Sequence, residues 1–486
     1  MKRIVLPILL LALLAAPAIR AGAAPRKNKA ADKVGLKYLG ANVKTYDAIQ
    51  KAIHDYAELG YQEYKSSALL ISHLEEHGFT VEKGVADIPT AFVASYGSGR
   101  PVIGIMAEYD ALPGLSQDTV AYKKPLVEGG HGHGCGHNML GTASVAGAVA
   151  IAQWLAQGHE GTVKLFGCPA EEGGGGKNFM VRDGVFQGLD ACLNWHPSSL
   201  NKVSLGPGLA SLNVMFTFRG KSAHAAGMPW AGRSALDAVE AFDYMVNLMR
   251  EHISPDARVH YVINNGGEAP NVVPDFAQVN YYIRHPEVKE MLSILERIKA
   301  AAEGAAMGTG TQMEMEILNG NYPILFNRTL CEVVLRNLIA VGPVRLDARE
   351  RAFMEELLRN SNLDPALMDD FEKVDPVLGE PRKGGGSSDV GSVSLVAPVN
   401  RLLVACAMPR NPGHCWQQAA VGGTTIGTKA VINVAKVFYK TAVELYSDPA
   451  LVKKIWDEFE AARGKDFVYK PLMGDRKAPL HYRDGQ

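Results

Sequence analysis

The segment His131-Gly-His133-Gly-Cys135-Gly-His137-Asn138 sets four metal-binding side chains within seven positions, separated by glycines. Glycine admits backbone conformations closed to other residues, so such a run can turn tightly and aim its donors at a common point. Imidazole and thiolate are ligands for zinc and related divalent ions. This density predicts a metal site rather than a polar glycine–histidine loop. Further along, Cys168-Pro-Ala-Glu171-Glu172 ends an apolar run in two adjacent carboxylates, followed by four glycines. An unwound strand end would let one carboxylate ligate metal while its neighbour moves protons; the plainer alternative is an acidic helix start. His196 closes the strand-like Asn194-Trp195-His196-Pro197, and His414 sits in the turn Pro412-Gly-His-Cys-Trp416. Spacing alone leaves His131 and His133 as open to a ligand role as their neighbours. The chemistry indicated is metal-assisted hydrolysis. Gly173–Lys177 is not a phosphate loop, because Asn178 stands where Ser or Thr is needed, and no Gly-x-Ser-x-Gly elbow occurs.

These residues must be positioned by a scaffold, and its elements are readable. A helical pattern over Thr45–His77 precedes strand-length runs at Ala91–Tyr96, Val102–Ala107, Val163–Cys168 and Ala191–Trp195, with an alanine-rich helix from Leu140 to Gln157. Strands alternating with helices predict an α/β sheet with helices on both faces. Leu212–Leu318 then reads β-α-β-β-α-β, the order of a ferredoxin-like α+β unit. The expected organisation is a discontinuous catalytic domain over 41–207 and 328–450, interrupted by an inserted domain over 208–327. After it come a helix at Leu330–Ile339, a polar acidic stretch at Arg345–Asp375 and a glycine-rich loop at Lys383. Strands are expected near Val390–Val396 and Leu402–Ala407, and a helix from Thr425 to Tyr446. Residues 24–40 read as a flexible leader, 451–486 as a C-terminal extension, and the charged tail after Arg463 as lying on the surface.

The 486 residues are 47% hydrophobic and 21% charged, with 50 Lys+Arg against 51 Asp+Glu, which excludes a disordered chain and any global basic field for nucleic acid. Lys2 and Arg3 precede the apolar run Ile4–Ile19 and the small residues Ala21-Gly-Ala23, the pattern of a secretory signal peptide over 1–23. The expectation is export to a periplasmic or secreted location, with no membrane association after cleavage. Six cysteines are too few for a disulfide scaffold, and Cys168, Cys192, Cys331 and Cys406 read as buried small hydrophobes.

Taken in order, these stretches resemble the two-metal aminoacylase and carboxypeptidase-like metallopeptidases, peptidase family M20, and within it the amidohydrolase subfamily. The resemblance spans Thr45 to Ser447. It rests on Glu58-Leu-Gly-Tyr-Gln-Glu63, Glu108-Tyr-Asp110-Ala-Leu-Pro113, Gly132–Asn138, the Glu171-Glu172 pair, Trp195-His-Pro197, Ala223-His-Ala225 with Gly232–Asp237, Ser388–Val393 and the His414 turn. It implies a zinc-exopeptidase-like catalytic domain and an inserted dimerisation and lid domain. It also implies a centre of two divalent metal ions, zinc or manganese, held by Cys135, His137, Glu172, His196 and His414. Glu171 would be the general base and Asp110 the carboxylate that orients a ligand. His224 would reach the partner's active site in a homodimer, and Asn271 and Arg284 would hold substrate; a hetero-subunit is a further possible partner. Related enzymes carry Asp at the positions of Glu108 and Asn138. The expected reaction is hydrolysis of an amide joining an acyl or aroyl group to a carboxylate-bearing amino acid, such as a p-aminobenzoyl-glutamate-like compound. A dipeptidase, or a non-catalytic exported solute- or metal-binding protein, are the alternatives.

Overall fold

A computed structural model describes residues 33–381 and 385–485. The expected signal peptide, and Lys383 and Gly384 of the glycine-rich loop, lie outside the described residues. The apolar runs form a five-stranded mixed sheet in the order β1-β2-β4-β3-β5: β1 Thr80–Lys83, β2 Phe92–Ser98, β3 Val102–Glu108, β4 Gly161–Cys168 and β5 Ala191–Leu193. β3 is parallel to β4 and β5, and Glu108 pairs with Cys168, so these strands end at one edge. β1 and β2 run antiparallel to their neighbours.

Helix α1 (Val34–Ala41), α2 (Val43–Tyr56), α3 (Tyr64–Glu76) and α4 (His137–Leu155) cover one face. All of α4 is buried except Gln153. Its small residues permit this: a Cβ on Gly141 would stand 2.6 Å from the Glu108 carbonyl oxygen. The opposite face packs Met106, Phe166 and Cys192 against Phe179 of α5 (Gly176–Arg182).

The inserted unit comprises β8 (Ala210–Arg219), α6 (Ala235–Met249), β9 (Arg258–Asn265), β10 (Phe276–His285), α7 (Val288–Thr309) and β11 (Gln312–Asn321). Its antiparallel sheet, ordered β11-β8-β10-β9, has its own core around Phe216, Phe242, Tyr281 and Ile298. Along β10 burial alternates residue by residue, because one sheet face meets the two helices. Between β5 and β8 lie β6 (Trp195–Ser198) and β7 (Lys202–Val203), which pair on either side of β12 (Leu402–Ala405). Around β12 the chain forms α8 (Arg328–Val341), α9 (Ala348–Asn360), α10 (Val390–Val393), α11 (Trp416–Gly422), α12 (Thr425–Ser447) and α13 (Pro449–Arg463).

Several expectations need correction. The pattern over Thr45–His77 is two helices, α2 and α3, because Ala57 turns left-handed at φ 43° and the Glu58 carboxylate accepts from Lys65 and Ser66 N–H at the start of α3. Val390–Val396 is not a strand. It begins as the short helix α10, whose Gly391 lies so close to Tyr322 that a Cβ would meet its carbonyl oxygen at 1.9 Å. The acidic stretch at 345–375 contains α9, started by a reciprocal Asp347–Glu350 capping box. Of the expected flexible leader, residues 24–32 lie outside the described residues, while Val34–Ala41 forms α1, with Leu39 buried and Gly35 seated against Tyr439.

The tail after Arg463 is not a surface extension. Leu472, Met473, Leu480 and Tyr482 pack on the two domains' cores, and Tyr469 donates to Ser392 Oγ at 3.0 Å.

The close approach of α4 to β3 leads to a test. Gly141→Val is expected to lower unfolding free energy by about 1–3 kcal/mol through overpacking, read as a lower urea midpoint. An unchanged midpoint would contradict the packing described.

Candidate metal centre

β3 ends at Glu108, and two residues later Asp110 turns inward at the same sheet edge. The His131–His137 loop ends at Gly136, whose φ of 82° starts α4, so His137 is the first helical residue. His137 donates Nδ1–H to Asp110 Oδ1 at 2.8 Å, which aims Nε2 away from Asp110 and into the site. Asp110 Oδ2 accepts the backbone N–H of Glu172 at 2.9 Å. One buried carboxylate thus holds two distant segments in register.

Beyond β4 the chain turns at Ala170, held at φ 56° by its N–H to Glu63 Oε1 and its carbonyl to Gly175 N–H. This left-handed turn breaks the strand's alternation and brings both Glu171 and Glu172 to the cavity. His196, on β6, uses Nδ1 against the Pro197 carbonyl, an acceptor only, so Nε2 presents a lone pair; it lies 3.3 Å from Cys135 Sγ. Burial lowers the His196 pKa to about 4, keeping that lone pair available. His414, at φ 43°, sets Nε2 3.1 Å from Glu172 Oε1, outside hydrogen-bond geometry, and is the most exposed of these groups.

Two donor sets result. Cys135, His137 and His196 present ligand atoms within 4.8 Å of one another, and so do Cys135, Glu172 and His414. Cys135 belongs to both. A third set, Glu108, His137 and Glu171, adds a carboxylate not anticipated as a donor. The donors fit divalent metal: His137 Nε2 and Glu172 Oε1 are buried without hydrogen-bond partners, and a thiol, imidazoles and carboxylates together suit ions such as zinc. Burial and the adjacent Glu172 and Glu108 charges hold the Glu171 pKa well above the usual carboxylate range. A cavity of about 500 Å³ opens over this cluster, bounded by Arg401 and by Ser211, Tyr282, Arg284 and Asn319 of the inserted unit.

The other candidates stand elsewhere. His133 is buried with Nε2 against the Ile53 carbonyl, and His131 lines a separate cavity beside His54. His224 and Asn271 adjoin each other on the inserted unit, where Ala225 N–H donates to the Asn271 carbonyl, and both are exposed, outside the cavity.

Sequence reasoning missed Lys177. Its buried ammonium sits 2.7 Å from Glu108 Oε1 and 2.6 Å from Asp389 Oδ1, and its N–H donates to Asp389 Oδ2. This pair of contacts fixes the Glu108 carboxylate beside His137. The only signal was Gly-Lys after the glycine turn, which suggested a phosphate loop and nothing else.

Carboxylates, a thiol and imidazoles thus cluster under a cavity at the end of the mixed sheet, a donor set that suits divalent metal. Comparison with known proteins gives the family. The sequence profile of peptidase family M20/M25/M40 matches residues 104–475, and the chain belongs to it. It is 39% identical over 458 residues to a p-aminobenzoyl-glutamate hydrolase subunit of Escherichia coli, covering 89% of this chain and 95% of that protein. It is 29% identical over 453 residues to the Xaa-Arg dipeptidase of Mus musculus, covering 90% and 91%. Among solved structures, an aminobenzoyl-glutamate utilization protein from Klebsiella pneumoniae shares the fold, with a TM-score of 0.60 at 17% identity over 83% of this chain and 97% of that one.

Lys177→Met would leave Glu108 and Asp389 buried without their cation. The expected loss is about 3–5 kcal/mol of stability, read by denaturant unfolding. A loss below about 1 kcal/mol would show that the triad is not a structural centre.

Proposed function

We propose that this chain hydrolyses the amide between an acyl or aroyl group and a carboxylate-bearing amino acid, p-aminobenzoyl-glutamate being the type of substrate. The observation that carries this reading is Glu171 standing beside two donor sets that share Cys135, with Arg284 in the same cavity. Cys135, His137, Glu172, His196 and His414 would hold two divalent ions, zinc or manganese, which would acidify a water and polarise the scissile carbonyl. Glu171, its proton affinity raised by burial, takes the proton of the attacking water and returns it to the departing amine nitrogen. Asp110 keeps His137 oriented and the Glu172 backbone in place. Arg284, whose Nε is buried without a partner, pairs its fork with the substrate carboxylate.

His224 and Asn271 are exposed and do not line their own chain's cavity, which supports a homodimer in which each inserted unit serves its partner. The exposed apolar residues Tyr244 and Leu248 on α6, with Val262 and Ile263 on the edge strand β9, suit such pairing. The N-terminal signal pattern supports export.

Glu171→Gln is expected to lower kcat on p-aminobenzoyl-glutamate by about 10²–10⁴-fold with metal content unchanged, measured by p-aminobenzoate release and elemental mass spectrometry. Chelator should abolish turnover, and zinc or manganese should restore it. Intact turnover in Glu171→Gln, or activity indifferent to chelation, would refute the reading.

A further inference from the structure

β6 and β12 run side by side in parallel, with Leu402 opposite Trp195 and Leu403 opposite His196. Side chains alternate between the two faces along a strand, so residues two apart share a face. Trp195 and Leu402 are fully buried in the core, which puts His196 and Leu403 on the other face, together with Asn194 and Arg401 two places before them. Asn194, His196 and Arg401 all line the cavity over the donor sets. The backbone that carries Arg401 is held on both sides. Leu402 N–H donates to the Asn194 carbonyl at 3.1 Å, and Ser204 N–H donates to the Arg401 carbonyl at 3.0 Å. The buried Asn400 side chain accepts from Asn194 N–H at 3.2 Å and donates to the Asn194 carbonyl at 2.9 Å. Arg401 therefore projects from a fixed frame.

Among the described residues the Arg401 guanidinium makes one long hydrogen bond, from Nη1 to the Gly206 carbonyl at 3.5 Å, and no ion pair. Most of its five N–H donors therefore face the cavity's contents. It stands beside the donors: Glu171, Cys135 and Glu108 act on its charge, and its charge acts on His196. Arginine stays protonated in such a place, and a permanent cation next to two divalent ions is repelled unless an anion stands between them. The reaction read above creates that anion. Water adds to the scissile carbonyl carbon and gives its proton to Glu171, while the carbonyl oxygen becomes an oxyanion. Collapse re-forms the carbonyl, breaks the C–N bond and returns the proton to the amine nitrogen. The substrate's permanent carboxylate has its own partner in Arg284, which leaves the developing charge to Arg401.

We infer that Arg401 is a catalytic residue that donates to the oxyanion of the tetrahedral intermediate in its own chain's cavity. This rests on the amidohydrolase reading above. The test uses metal-loaded wild type, Arg401→Gln and Arg401→Lys. It measures turnover of p-aminobenzoyl-glutamate and calorimetric binding of its phosphinate isostere, in which an anionic tetrahedral group replaces the amide. Arg401→Gln should lower kcat by about 10²–10³-fold with KM little changed, and should weaken the phosphinate by a similar factor. Its metal content and urea midpoint should match wild type. Arg401→Lys, which keeps the charge, should recover part of both losses. A rise in KM at constant kcat would make Arg401 a holder of the substrate carboxylate. Unchanged kcat and phosphinate affinity, or a loss that follows metal content, would make it a prop for the segment at Gly206. Each of these overturns the inference while leaving the amidohydrolase reading intact. Should Arg401→Gln not fold, Arg401→Lys decides: parallel losses in kcat and phosphinate affinity support the role, and no loss overturns it. If wild type does not cleave the amide, that reading fails. Phosphinate binding then decides alone: affinity above that for the amide, lost in Arg401→Gln, supports an oxyanion site, and equal binding overturns it.

Discussion

Asp110 is the point at which two remote parts of the chain are joined. Its one oxygen orients the His137 imidazole and its other holds the Glu172 backbone, so donors 35 positions apart approach the same space. Both oxygens are used, the side chain is buried, and neither contact has a solvent substitute. The sheet makes this possible: β3 and β4 are parallel neighbours ending at one edge, and α4 begins directly above them. Ligands at the carboxyl end of open α/β strands follow from this architecture.

The electrostatics are arranged in layers. Lys177 pairs with both Glu108 and Asp389 beneath the donors, where uncompensated charge would be most costly. Above them, thiol, imidazoles and carboxylates crowd together with unpartnered lone pairs, an arrangement that divalent cations stabilise and that none of the neighbouring side chains does. Glu171 sits between these layers and the cavity, where burial and the neighbouring acids raise its proton affinity. The outermost layer is the arginine-lined wall, partly supplied by the tail.

Much of this was legible in the sequence. The strands β2 to β5, the buried helix α4 and the β-α-β-β-α-β order of the inserted unit follow from apolar periodicity and glycine punctuation. The glycine-spaced donors of 131–137 marked the site, although spacing could not say that His133 faces the Ile53 carbonyl while Cys135 and His137 face Glu172 and His196. What stayed hidden depended on tertiary pairing. Lys177 looks like any surface lysine until Glu108 and Asp389 surround it. Val390–Val396 has strand-like composition, but the close approach of Gly391 to Tyr322 selects a helical turn. The tail is charged and proline-punctuated, and its scattered Leu472, Met473, Leu480 and Tyr482, which pack on the two cores, draw it back over the cavity.

The most direct test is anomalous scattering from crystals of metal-loaded protein. Two peaks are expected, one within bonding distance of Cys135, His137 and His196 and the other of Cys135, Glu172 and His414, with Glu171 facing both across the cavity. No ion at these residues, or ions bound only elsewhere on the chain, would contradict the arrangement.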